Sequence, residues 1–185
     1  MKTLNTIQKL SKAGKIISKI IFIFCIVGFV GSAIGIISLT LIPEGIQLDG
    51  MTINAFIEKN AEVSLGTCYA VMAASMIICV GEAVLCKLAE IYFKNELDAG
   101  TPFTFEGAKE MMRLGIFAIV IPIVTNVIAG VVYSVMKLVM KDVANYDFSA
   151  FSSIGVGIMF IIVGLICRHG AEISEEKKQN EQIEL

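Results

Sequence analysis

The sequence predicts an all-α integral membrane protein, a four-helix bundle with its N- and C-termini on the cytoplasmic side. Three observations predict it. Of the 185 residues, 56% are hydrophobic and only 17% are charged, whereas a soluble domain is charged at about a quarter of its positions. Four runs lack Asp, Glu, Lys, Arg and His altogether: Ile20 to Ile42 (23 residues), Val63 to Gly81 (19), Leu114 to Met136 (23) and Phe148 to Cys167 (20). Each meets the length of about 20 residues that a helix needs to cross roughly 30 Å of hydrocarbon. Finally, the runs show no period-two alternation and are too long for buried strands, so helices are the spanning structure that satisfies every backbone amide and carbonyl. A soluble bundle of equal hydrophobicity would need polar stripes facing outward, and these runs have almost none.

Orientation follows from the cations. Lys2, Lys9, Lys12, Lys15 and Lys19 precede the first run, Lys87, Lys94, Lys109 and Arg113 lie between the second and third, and Arg168, Lys177 and Lys178 follow the fourth. Only Lys59, Lys137 and Lys141 fall in the other two loops. Because cations are retained on the cytoplasmic side, twelve of the 15 place both termini and the central loop there. The resulting organisation is a basic segment at 1–15, a four-span domain at 16–171 with spans at about 16–42, 63–93, 111–141 and 148–168, and a polar acidic tail at 172–185.

In chain order, Leu4, Ile7 and Leu10 alternate with Lys2, Lys9 and Lys12, the pattern of a short basic amphipathic helix on an anionic leaflet or of a frayed tail that serves topology. The first apolar run exceeds a signal-peptide h-region and is expected to stay as an anchor. It carries the GxxxG pair Gly31 and Gly35 beside Gly28 and Ser32, so another helix is expected to pack there, from this chain in preference to a second copy. After Pro43, Ile46-Gln47-Leu48 and Met51-Thr52-Ile53 flank Asp49-Gly50, the dipeptide of a two-residue hairpin turn. Asn54 to Glu62 reads as a helical lead-in to the second span.

The second span aligns Gly66, Ala70, Ala73, Ala74 and Gly81 as a close-packing side and continues beyond Glu82 through Ile91, Tyr92 and Phe93. Glu82, near the inner end of that run, is a candidate intramembrane polar residue together with Arg113, Asn126 and Pro122. An ionisable group at that depth requires a partner or access to water. A structural ion pair or an interfacial carboxylate outweighs a transport role, because Glu82 is so near the membrane edge.

The central loop carries the candidate motif Asp98, Gly100, Pro102 and Phe103. Gly100 is placed to take the left-handed position that ends a helix. Thr101 then caps a new helix with Pro102 at its first position, Thr104 being the rival cap. Phe103, Phe105, Ala108 and Met112 form an apolar edge, while Glu106, Lys109, Glu110 and Arg113 are expected to face water. In the third span, Gly115, Ala118, Pro122, Asn126 and Ala129 or Gly130 share one face; Pro122 is expected to kink the helix and Asn126 to find an interhelical partner. Asp147 or Ser149 is expected to cap the fourth span, and the tail to be disordered in part or a fraying helical extension.

Ile91-Tyr92, Gly100-Thr101-Pro102-Phe103-Thr104, Met112-Arg113-Leu114-Gly115 and Arg168-His169-Gly170-Ala171-Glu172 resemble the corresponding segments of the YoaS-like family of small four-helix bacterial membrane proteins, a domain of unknown function. Ile173 stands where that family usually has Leu. The resemblance implies a bacterial cytoplasmic membrane location, four helices and no established activity; some members are encoded beside short helix-turn-helix DNA-binding proteins, although this chain has no DNA-reading element.

Chemistry is sparse. Cys25, Cys68, Cys79, Cys86 and Cys167 lie within or at the ends of spans without a CxxC pair, and read as packing residues. His169 is the sole histidine. With no nucleophile–base set, no ligand cluster and no Walker loop, the expectation is a non-enzymatic protein without a cofactor. The net charge of −2 argues against direct nucleic-acid binding. The expected partners are the lipid bilayer and either another protein or a second copy. The leading reading is an accessory or regulatory subunit that contacts a partner through its ordered cytoplasmic loop; the alternative is a small oligomeric transporter or channel using Glu82.

Overall fold

In the computed structural model the chain is all-α, and the structure describes residues 2–41, 47–48, 51–52, 64–101, 103–140, 143–145 and 152–183. Four helices carry it: α1 Lys2–Leu41, α2 Leu65–Ala99, α3 Phe105–Val139 and α4 Ser152–Ile183. All four are long and apolar enough to cross a membrane, as a multi-pass bundle requires. At 1.5 Å per residue the shortest spans about 48 Å, more than the roughly 40–45 Å of a bilayer with its headgroups.

Between α1 and α2, β1 (Gln47–Leu48) pairs antiparallel with β2 (Met51–Thr52), Gln47 opposite Thr52 and Leu48 opposite Met51. This is the register expected around Asp49-Gly50. The turn itself, the lead-in from Asn54 to Glu62, Pro102, and the caps Asp147 and Ser149 lie outside the described residues.

One helix boundary differs from the sequence reading, and two others match alternatives that it left open. The basic N-terminal segment is no separate element: α1 is one 40-residue helix, because no proline or turn sequence interrupts it. Its Leu10 is 66% exposed while Ser11 and Ser18 are buried, so the two serines, and not Leu10, lie on its buried face. At the other end, α4 runs through the acidic tail to Ile183. Between them, α3 starts at Phe105 and continues past Pro122 as a single helix.

The described chain divides into two packed units, and α1, α2 and α3 contribute to both. The first comprises Met1–Ile23, Ala83–Pro122 and Ala150–Leu185. Its centre is an antiparallel seam of small residues. A Cβ added to Gly115 would lie 2.9 Å from the Gly157 carbonyl oxygen, and one added to Gly157 would lie 2.8 Å from the Gly115 oxygen. Two turns along, a Cβ on Gly164 would meet the Met112 side chain at 2.7 Å and the Ala108 oxygen at 3.3 Å. Ala108, Leu114, Cys167 and Ala171 are buried beside these contacts. The seven-residue spacing of Gly157, Gly164 and Ala171 keeps small residues on one side of α4, where backbones approach closely enough for dispersion to hold them. In the same unit the Phe93 ring lies over Gly14 of α1 and edge-on to Tyr92, and Lys87 pairs with Glu90 at 2.8 Å while lying over Phe22.

The second unit comprises Phe24–Glu82 and Ile123–Ser149. Here α1 meets α2 along Gly28, Ser32 and Gly35, which face Cys79, Ser75 and Met72 respectively. The Ser32 and Ser75 hydroxyls share a 2.9 Å hydrogen bond. The GxxxG expectation is therefore half corrected: Gly35 packs, but a Cβ on Gly31 would find nothing within 4 Å. Position 31 is rotated off the face that positions 28, 32 and 35 present. Ala70, Ala74, Ala129, Tyr133 and Val143 form the core of this unit, and Gly81 accepts the Thr125 side chain. Ser64 caps α2 by accepting the Thr67 N–H at 3.1 Å, and the Tyr133 hydroxyl donates to the Ala144 carbonyl at 2.8 Å.

Candidate functional site

Among the described residues, the first unit contains a candidate site built where α2 ends and α3 begins. Gly100 adopts φ of +74°, a conformation glycine takes without a Cβ penalty, and its N–H donates to the Glu96 and Leu97 carbonyls at 3.1 and 3.3 Å. This is a helix end of the left-handed kind. The Gly100 carbonyl accepts a 3.2 Å hydrogen bond from the Gln8 amide of α1, so the reversal is tied to the N-terminal helix.

The cap is Thr104, not Thr101. Thr104 Oγ1 accepts the Gly107 N–H at 3.0 Å and its carbonyl accepts the Ala108 N–H at 2.9 Å, which fixes the first turn of α3. Thr101 instead accepts the Phe103 N–H at 3.2 Å, a local turn that delays the helix. The Phe103 ring then lies on Gly170 of α4, 2.7 Å from where a Cβ would be. Phe103 and Phe105 nonetheless remain substantially exposed, as does Asp98.

Beside this loop is a cleft of about 250 Å³ lined by Leu88, Ile91 and Tyr92 of α2 and by Glu110, Arg113, Leu114 and Phe117 of α3. Its polar groups are held in different ways. Asn95 Nδ2 donates to both Glu110 oxygens at 2.9 and 3.1 Å, so Glu110 is half-buried and oriented where a fully solvated side chain was expected. Tyr92, buried, donates its hydroxyl to Met111 Sδ at 2.8 Å. Arg113 is exposed and joins no hydrogen bond or ion pair with a described residue. An apolar floor thus carries one oriented carboxylate and one available guanidinium, a turn apart on the same helix.

The four candidate intramembrane residues are divided between the units. Glu82 and Asn126 belong to the second unit, Arg113 and Pro122 to the first. Glu82 is half-buried and joins no hydrogen bond or ion pair with a described residue. Asn126 is half-buried and engaged by other groups, and Pro122 is buried within α3. Among the described residues, no three His, Cys, Asp or Glu side chains are grouped to hold a metal ion. Arg168 and Glu172 form an exposed pair at 3.3 Å, of a kind worth little in water.

Sequence reasoning missed Asn95 and the pairing that turns Glu110 inward. The available signal was apolar Ile91-Tyr92 and Leu114 to Phe117 on either side of a loop short enough to lay them together.

The chain matches no family model, no curated protein and no solved structure.

Proposed function

We propose that this chain is a non-enzymatic accessory or regulatory subunit of a bacterial cytoplasmic membrane, contacting a partner protein through the loop from Asp98 to Phe105. The observation that carries this reading is the way the loop is held. Gln8 on Gly100, the Thr104 cap and Phe103 on Gly170 fix it from three sides, yet Phe103 and Phe105 keep large exposed surfaces. A preorganised loop loses little conformational entropy on binding, and aromatic side chains, Phe included, are enriched at protein interfaces. The positive-inside distribution of lysine and arginine supports its cytoplasmic location. The resemblance to YoaS-like proteins, in the segments that build this loop, supports a bacterial membrane setting.

The test is affinity purification in mild detergent followed by mass spectrometry, comparing the native chain with Phe105→Asp. A protein recovered with the native chain and lost with the equally folded variant is the expected result. Recovery of only lipid and self-copies, or an unchanged set of proteins, would count against the subunit reading.

One observation favours a second reading, a small oligomeric transporter or channel. Glu82 is a half-buried carboxylate without an ion-pair partner among the described residues, and ionisable groups in spans commonly mark ion pathways. Reconstituted liposomes decide it: flux that Glu82→Gln abolishes supports transport, and flux that is absent or unchanged excludes that role for Glu82.

A further inference from the structure

We infer that the cleft between α2 and α3 binds the headgroup of an aminophospholipid of the phosphatidylethanolamine type, its ammonium on Glu110 and its phosphate on Arg113. The inference stands apart from the partner reading, since the cleft neither includes nor requires the exposed aromatic groups of the loop.

Position comes first. Arg113 immediately precedes the 23-residue run from Leu114 to Met136 that has no Asp, Glu, Lys, Arg or His, so the cleft's polar end lies at the edge of the hydrocarbon, where headgroups reside. This holds whichever side of the membrane faces the cytoplasm. Phe117, four residues further along α3, lies about 6 Å deeper. Below and beside the cleft, Val84, Ile91, Phe117 and Val120 all have exposed side chains, an apolar track that an acyl chain covers. The cleft's volume of about 250 Å³ is below the roughly 300–1,000 Å³ of pockets that enclose a drug-sized ligand. It suits a small headgroup whose tails remain in the bilayer.

Charge then selects the lipid. Glu110 is held in place by the neutral amide of Asn95, which orients the carboxylate without cancelling its charge, and each oxygen retains a lone pair for an ammonium donor. Arg113 has its donors uncommitted to described residues and matches a phosphate in a forked geometry. A carboxylate and a guanidinium one turn apart complement a zwitterion that carries both N–H donors and a phosphate. A purely anionic headgroup would meet Glu110 unfavourably, and a trimethylated ammonium offers it no N–H to accept.

Native mass spectrometry of the full chain in mild detergent tests this, with added phosphatidylethanolamine, phosphatidylcholine or phosphatidylglycerol of identical acyl chains. Phosphatidylethanolamine adducts should exceed those of the other two by about tenfold, the scale of one charge-assisted hydrogen bond. Glu110→Gln, which keeps an oxygen for Asn95, should erase the preference over phosphatidylcholine, whereas Arg113→Gln should reduce all three lipids. Glu106→Gln, an exposed change near the start of the same helix, should alter nothing, and circular dichroism of each variant verifies that the helices remain. Equal binding of phosphatidylcholine, a preference for phosphatidylglycerol, or folded Glu110 and Arg113 variants that bind as the native chain does would each overturn the assignment.

Discussion

Gly115 and Gly157 face each other so closely that a methyl group on either would lie within 3 Å of the other's carbonyl oxygen. The Ile161 and Ile119 side chains beside them can turn aside, but the backbone carbonyls cannot, so α3 and α4 would have to separate. In lipid, where the hydrophobic effect contributes little between helices, such contact is itself the source of association.

Gly115→Ala and Gly157→Ala should each therefore destabilise the protein, by roughly 1–3 kcal/mol on the scale of overpacked cores. Gly31→Ala and Gly155→Ala are the contrast, because an added Cβ at those positions meets nothing within 4 Å. They should be neutral, or stabilising by up to roughly 1 kcal/mol through the unfolded chain. Thermal unfolding midpoints in one mild detergent separate the two pairs. A common decrease in all four would show that glycine flexibility matters there, and not contact.

The Ser32–Ser75 hydrogen bond gives a second quantity. A polar pair between membrane helices is worth about 0.6 kcal/mol on average, so a double-mutant cycle with Ser32→Ala and Ser75→Ala should yield a coupling of that order. Because Ser75 also donates to the Met72 carbonyl at 2.8 Å, Ser75→Ala alone should cost no less than Ser32→Ala. Zero coupling would contradict the contact between α1 and α2.

At the loop, Thr104→Ala should cost about 1 kcal/mol as the loss of a helix cap. Thr101→Ala should cost less, since its hydroxyl serves one local turn. Gly100→Ala forces an L side chain into φ of +74° and should destabilise by about 1 kcal/mol. The same unfolding assay ranks them, and Thr101→Ala emerging as the most damaging would restore the earlier helix start that the sequence suggested.

What the sequence revealed and what it concealed differ in physical kind. The absence of charge over 19 to 23 residues is a local property, and it located all four helices. So is the Asp98-Ala99-Gly100 stop, for which Gly100 has the expected left-handed backbone. The hairpin around Asp49-Gly50 was legible for the same reason, and its strands pair in the expected register. By contrast, Gly31 and Gly35 satisfy a spacing rule, but which glycine is covered depends on where Met72, Ser75 and Cys79 of α2 lie. Thr101 and Thr104 are chemically similar caps, and the choice between them follows from the approach of Phe103 to Gly170, 67 positions further along the chain. Asn95 and Glu110, fifteen positions apart, meet only once α2 and α3 are side by side. Composition set the architecture, while the site depended on partners that no local window contains.

Four crossings put both ends and the central loop on one side of the membrane, and thiol accessibility tests that directly. With Cys25, Cys68, Cys79, Cys86 and Cys167 replaced by alanine, single cysteines at Asp98 and at Asn145, both exposed, are treated with a membrane-impermeant maleimide on intact cells. Asn145→Cys should be labelled at once and Asp98→Cys only after the membrane is permeabilised. Labelling of Asp98→Cys in intact cells, with Asn145→Cys protected, would contradict it.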